Sequence, residues 1–171
     1  VTIAVPAFNA GRTIEQVLAR VAELQGGSCR ILVVNDGSTD ATAEIAGRYA
    51  DVVSHHRNMG LGQARNTAVE NTHTRYIAFL DADVVPEPSW LVRMMRTFAE
   101  EGKIAGVEGR LVEESRTWAD RWRARHMEQT WGQEPRTVQY LHGNNCIYIR
   151  DAIIEAGMFD ATCLTNGEDA N

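Results

Sequence analysis

The strongest constraint on the fold is an alternation. Residues 1–5, 31–34 and 76–80 are short apolar runs rich in strand formers, and each breaks off into turn-forming or acidic residues. Between them, apolar side chains recur at helical spacing. Ile14, Val17, Leu18, Val21 and Leu24 form one such stripe, stopped by Gly26-Gly27, and an Ala- and Glu-rich run to Ala50 forms a second. A third spans about 63–71, and Leu91, Met94, Met95 and Phe98 form a fourth, stopped by Gly102. Residues 51–54 read as a further, shorter strand. Continuous apolar strands are those covered on both faces, so the alternation predicts a mostly parallel sheet with helices packed on it. Ligands of such sheets bind beyond the carboxyl ends of the strands. The polar residues that end each run are therefore the first place to look for function.

From residue 104 the pattern changes. A strand over 104–112 is interrupted by Gly106 and Gly109, and 138–149 is strand-like around Gly143-Asn144-Asn145. Between them, 115–131 has helical spacing, with Trp118 and Trp122 one turn apart among Arg116, Arg121, Arg123 and Arg125. The expected role of that tryptophan face is packing. Asp151 opens a short helix closed by Gly157. A length of 171 residues suits one domain, divided here into a regular half, 1–103, and a mixed half, 104–171. The chain starts inside a strand-like run without Met and stops just after Glu168-Asp169. It is read as an incomplete copy of a longer chain, truncated at the C-terminus.

A net charge of -6 and a pI near 5.4 argue against a protein built to neutralise phosphate backbones, so no nucleic acid is expected as partner. Cys29, Cys146 and Cys163 are odd in number and widely spaced, which signals neither a disulfide framework nor a zinc knuckle. A reducing, cytoplasmic setting is the simplest fit. No apolar run approaches membrane-span length.

The run 76–80 ends in Asp81-Ala82-Asp83. In extended chain, residues i and i+2 point to one side, so both carboxylates are expected to face one ligand. Side by side they repel, and a hard divalent ion clamping a diphosphate would relieve that. A solvated acidic turn is the alternative. Asn35-Asp36 ends the second strand, where a carboxylate can accept from a pyrimidine N3–H or ribose hydroxyls, or simply form an Asx-turn. Ser38, Thr39 and Asp40 are read as capping residues. The run 58–66 lacks the Lys and spacing of a phosphate loop, yet its Arg65, near a helix start, could stack on a base or fork onto a phosphate. It could equally be a surface Arg paired with an acid. Glu168-Asp169 is either loop decoration or a source of a general base. His55-His56 read as strand-end polar residues, and His142 is the one histidine singled out for function.

Taken in order, these pieces resemble the inverting nucleotide-sugar glycosyltransferases of family 2. The matching stretches are 5–9 (VPAFN), 33–40 (VVNDGSTD), 58–66 (NMGLGQARN), 79–83 (FLDAD), 143–145 (GNN), 157–160 (GMFD) and 167–169 (GED). The resemblance implies a GT-A fold, an α/β architecture with a Rossmann-like, mostly parallel sheet, helices on both faces and a mixed acceptor-side region. It implies that 1–103 is the nucleotide-binding half and 104–171 the acceptor side. Pro6, Ala7, Phe8 and Asn9 would line the nucleotide slot, Asp36 would hold the base, and Arg65 would help near base or diphosphate. Asp81 would reach the ribose, with Ala82 between it and Asp83, which would bind Mn²⁺ or Mg²⁺, Asp81 sharing the metal site. Asp169, beside Glu168, would be the base towards the acceptor hydroxyl. A UDP- or GDP-sugar donor, a glycan or lipid-linked acceptor of cell-envelope polysaccharide type, and a homodimer are the partners this implies, with a location in the cytoplasm or at the inner face of the membrane. One departure is Asn35, where many relatives carry a second Asp.

Three rival readings compete with it. A glycoside hydrolase needs carboxylates that straddle a sugar, about 5–10 Å apart, and Asp81 and Asp83 are too close in sequence. A sugar-1-phosphate nucleotidyltransferase would open with a Gly-rich basic loop, which residues 7–10 are not. A nucleotide-sugar-binding module without turnover is the non-enzymatic alternative.

Overall fold

The computed structural model describes residues 1–27, 29–112, 118, 122, 134 and 136–162. The element order is β1 (Thr2–Ala7), α1 (Ile14–Ala22), β2 (Arg30–Asn35), α2 (Thr42–Ala46), β3 (Asp51–Ser54), α3 (Leu61–Glu70) and β4 (Tyr76–Leu80). It continues with α4 (Trp90–Glu101), β5 (Gly106–Glu108), β6 (Asn145–Ile149) and α5 (Arg150–Glu155). The strands form one sheet in the order β3-β2-β1-β4-β6-β5. The first four are mutually parallel, whereas β6 runs antiparallel to both β4 and β5. The expected α/β architecture is present.

Strand alternation sorts the core into two layers. Ile3, Val5, Ala7, Val33, Ala78, Leu80 and Ile147 join Ile14, Val17, Leu18 and Val21 of α1, Ala46 of α2, and Trp90, Leu91 and Met94 of α4. The intervening residues Ala4, Leu32, Val34, Ile77, Phe79 and Cys146 join Ala64, Ala68 and Val69 of α3 and Ile153 of α5. Helices therefore cover both faces, as apolar runs without alternation require.

The second half is less regular than its sequence suggests. Only Gly106–Glu108 of the expected strand 104–112, and Asn145–Ile149 of 138–149, pair in the sheet. At Gly109 an added Cβ would lie 2.8 Å from the Asn145 side-chain amide. The Gly109 N–H still bonds across to the Asn145 carbonyl, 2.8 Å, so the cross-strand bonding outlasts the strand by one residue. The helix expected over 115–131 lies outside the described residues except for Trp118 and Trp122. Those two are 74% and 52% exposed, so the expectation that they pack is corrected. Cys163, Glu168 and Asp169 also lie outside the described residues.

No described helix is long and apolar enough to cross a membrane.

Candidate functional site

The sheet changes direction of winding between β1 and β4, and there the two strands part. Pairing of β1 with β2 runs to Ala7 opposite Asn35, but pairing of β1 with β4 ends at Ala4 opposite Phe79. Proline explains the difference. The Ala7 carbonyl accepts the Asp36 N–H, 2.8 Å, on the β2 side, so by alternation Pro6 faces β4. It has no N–H to give that neighbour. The result is a cleft at the switch point, which is where open α/β sheets take their ligands. Pro6 and Ala7 are buried in its wall, and Phe8 and Asn9 stand exposed at its mouth.

The loops around the cleft are laced together by side chains. Asn9, at φ 51°, gives its N–H to Ser38 Oγ (3.0 Å) and its Oδ1 accepts from the Thr39 N–H (2.9 Å). The Ala10 N–H reaches Thr42 Oγ1 at 2.8 Å and the Gly11 N–H reaches Asp40 Oδ2 at 2.9 Å. Asp40 also accepts from the N–H and hydroxyl of Thr42. These donors hold the Asp40 carboxyl below its ordinary pKa, the Thr42 hydroxyl being the largest cause. Ser38, Thr39 and Asp40 are thus cross-loop struts as well as turn residues, which corrects the capping-only reading. Asn35 uses both ends of its amide, donating to Ser54 Oγ (3.3 Å) and accepting from the Ser38 N–H (3.2 Å).

Asp36 is 3% exposed and heavily engaged. Its Oδ1 accepts from the Met59 N–H (2.9 Å) and from His55 Nδ1 (2.6 Å), and its Oδ2 accepts from the Gly60 N–H (2.9 Å). His55 is consequently no mere strand-end polar residue. It joins Asp36 to Thr67 Oγ1, 2.9 Å from its other ring nitrogen.

On the other side of the cleft, the chain does not stay extended through the acidic pair. β4 ends at Leu80, and the Val84 N–H bonds back to the Asp81 carbonyl at 3.0 Å, closing a turn with Ala82 and Asp83 at its centre. The expected same-side geometry of an extended strand is therefore replaced by a tight turn. Asp83 is exposed, while Asp81 is half-buried and pinned by its N–H to the Asn144 carbonyl (3.1 Å). Arg65 comes within 4.0 Å of Asp81 Oδ1.

Arg65 itself departs from its expected place. It lies in mid-helix, 1% exposed, with its guanidinium 5.9 Å from the Phe79 ring centre and 5.6 Å from that of Phe159. It donates to the Gly143 carbonyl at 2.9 Å. In this structure Arg65 is buried rather than presented at a surface, within reach of Asp81 and the Gly143 carbonyl. Next to it, Asn66 makes a two-way amide pair with the Phe159 backbone, 2.9 Å in each direction.

Three further contacts were not legible in advance. Asn145 Oδ1 accepts from the Trp90 indole (2.6 Å), and Glu108 accepts from both the backbone N–H (3.0 Å) and Nδ1 (2.7 Å) of His142. These partners are 34 and 55 residues apart, and no local pattern connects them. His55 did have a usable signal, since it follows a strand at the same sheet edge as Asp36.

A hard cation fits the acidic turn by its donor chemistry. Exposed carboxylate oxygen on Asp83, with Asp81 adjacent, is what Mg²⁺ or Mn²⁺ prefers. Among the described residues no three His, Cys, Asp or Glu side chains gather into a metal cage, so such an ion would draw further oxygens from a phosphate or water.

The comparisons agree with this geometry. The sequence model described as Glycosyl transferase family 2 matches residues 2–157. The pre-mycofactocin glycosyltransferase of Mycobacterium tuberculosis is 31% identical over 183 aligned positions, covering 100% of this chain and 37% of that protein. Among solved structures, the mannosyltransferase PcManGT from Pyrobaculum calidifontis, in complex with GDP-Man and Mn²⁺, superposes with a TM-score of 0.75 at 20% identity. That match covers 98% of this chain and 49% of the other. Staphylococcus aureus TarS in complex with UDP gives 0.72 at 20% identity, covering 98% and 52%. The chain thus spans about a third of the curated relatives' length and about half that of the structural neighbours. With a matching sequence model over nearly its whole length and a sheet whose strands part at the switch point, the chain belongs to glycosyl transferase family 2, a family of enzymes.

Proposed function

We propose that the protein transfers a sugar from a nucleoside-diphosphate sugar, UDP- or GDP-linked, to an acceptor hydroxyl or lipid phosphate with inversion at the anomeric carbon. The observation that carries this reading is the cleft between β1 and β4, with Phe8 and Asn9 on one lip and the Asp81–Asp83 turn on the other. PcManGT, which shares the fold, is described with GDP-Man and Mn²⁺ together. A nucleotide would lie with its base towards Asp36 and Phe8, its ribose towards Asp81 and its diphosphate towards Asp83. A divalent ion held by Asp83 and Asp81 would neutralise charge that builds on the departing diphosphate.

The chain's own residues have two tasks. The first is alignment: Arg65 and the Asn144 carbonyl fix Asp81, so that the donor is held in line. The second is proton removal from the acceptor, which we assign to Asp169 with Glu168 beside it. The acceptor fits a glycan or lipid-linked substrate of the cell envelope, in the cytoplasm or at the inner face of the membrane, and residues 104–171 are proposed as its side of the domain.

The test is a thermal-shift panel of UDP, GDP and their sugars, with and without Mn²⁺. A ligand at about 100 times its Kd adds roughly 2.7 kcal/mol, about 5–10 °C for a domain of this size. Absence of any Mn²⁺-dependent shift overturns the reading. Asp83→Ala should abolish the Mn²⁺-dependent part. Asp169→Asn should leave binding intact and slow transfer about 10²–10⁴-fold; unimpaired transfer would remove Asp169 from the mechanism. Nucleotide binding with no transfer by the full-length native protein would favour the binding-module alternative.

A further inference from the structure

One buried chain of side chains at the cleft is more tightly specified than the fold requires. His55 has an 11% exposed side chain with a partner on each ring nitrogen. A carboxylate accepts only, so a proton sits on Nδ1 facing Asp36, while the Thr67 hydroxyl, which can give or accept, holds the Nε2 end of the ring. The ring's orientation is held from both sides.

The other end of the chain is the Asp36 carboxylate. Its two oxygens offer about four acceptor positions. His55 Nδ1 and the Met59 N–H take both positions on Oδ1, and the Gly60 N–H takes one on Oδ2. One position on Oδ2 is left, and the three donors fix its direction. A nucleobase with a ring N–H, such as uracil or guanine, can use it. Cytosine presents a ring lone pair at the equivalent place and is disfavoured.

We propose that His55 is a positioning residue for nucleobase recognition, holding the Asp36 carboxylate so that its last acceptor position selects a base with a ring N–H. This rests on the assignment of Asp36 to the base.

The experiment measures dissociation constants of UDP, GDP and CDP, with Mn²⁺, for the full-length native protein and for His55→Asn, His55→Gln and Thr67→Val. The readout is the CDP constant divided by that of the tighter of UDP and GDP. Asn places an N–H donor near the position of Nδ1, and Gln places one near Nε2. His55→Asn should keep the ratio within about threefold, whereas His55→Gln should lower it about tenfold, the loss of one charge-assisted hydrogen bond's orientation. If His55→Gln does not fold, Thr67→Val is read instead. With no hydroxyl on Nε2 the ring is held from one side only, and its ratio should fall about threefold, a smaller loss than that of the whole bond. A merely structural histidine would lower the melting temperature of the variants and leave the ratio untouched. An unchanged ratio in His55→Gln, or in Thr67→Val where that variant is read, overturns the inference alone. A native protein that binds none of the three nucleotides overturns the parent reading and this one with it.

Discussion

Replacing Arg65 by Met sets several terms of known size against each other. The guanidinium's hydrogen bond to the Gly143 carbonyl is 2.9 Å long and buried, and such charged bonds contribute about 1.5–3 kcal/mol. The two ring contacts, at 5.6 and 5.9 Å, lie near the outer limit of cation–π attraction and add about 0.5 kcal/mol each. Methionine's sulfur recovers part of that. The Asp81 pair, at 4.0 Å with the aspartate 36% exposed, is screened and adds at most about 1 kcal/mol. Against these stands the cost of keeping a cation at 1% exposure, which an apolar side chain of similar volume avoids and which can cancel several kcal/mol. What the substitution cannot avoid is a Gly143 carbonyl that loses its donor. We therefore expect Arg65→Met to destabilise by about 1–3 kcal/mol, or about 3–10 °C in Tm. Urea unfolding with an unchanged m value is the assay. A variant as stable as the native protein would show that desolvation outweighs the hydrogen bond, and the account of Arg65 as an internal strut would fail.

Gly37 has φ 72°, and a Cβ there would lie 2.3 Å from the Arg57 carbonyl carbon. Gly37→Ala must strain the backbone by about 1–2 kcal/mol and push residues 57–58 outward. Nucleotide affinity should then fall along with stability, and retained affinity would detach that loop from the cleft. Asp40 gives a pH signature. Its folded-state pKa is depressed, so the stability it confers is present above the unfolded aspartate value, about 3.9, and is lost as pH falls through the lower folded value. In acid titrations followed by circular dichroism, the native protein should lose its advantage over Asp40→Asn from about pH 4 downward. An equal gap between the two at all pH values would rule the linkage out.

How much of this was legible depended on whether the cause was local. The sheet's first four strands could be read because each is a run of apolar residues closed by turn formers, and Tyr76–Leu80 was placed at its observed bounds. The acidic turn was located correctly but given the wrong local shape. Strand periodicity fails beyond Asp81: its N–H makes one last bond across to the Asn144 carbonyl, and the Val84 N–H then folds the chain back onto the Asp81 carbonyl. Arg65 was misplaced because nothing in residues 58–66 says that Phe159, nearly a hundred positions later, closes over it. Trp118 and Trp122 were expected to pack on the prior that large aromatics are buried, and their exposure has no counterpart in the local sequence.

One helix converts these separate contacts into a frame. The amide of Gly60, just ahead of α3, bonds to Asp36, and Thr67 on the helix bonds to His55; both lie on the nucleotide side. Arg65 and Asn66 reach the Gly143 carbonyl and the Phe159 backbone on the opposite side. Gly62 lies so close to the 160 segment that a Cβ would come within 2.6 Å of the Asp160 carbonyl oxygen. Rigid elements place functional groups more accurately than loops do. A helix with side chains tied to both sides fixes the distance between Asp36 and the Asp81–Asp83 turn. Asn66 of the 58–66 motif and Thr67 just after it thus hold other groups in place, Asn66 the Phe159 backbone and Thr67 the His55 ring.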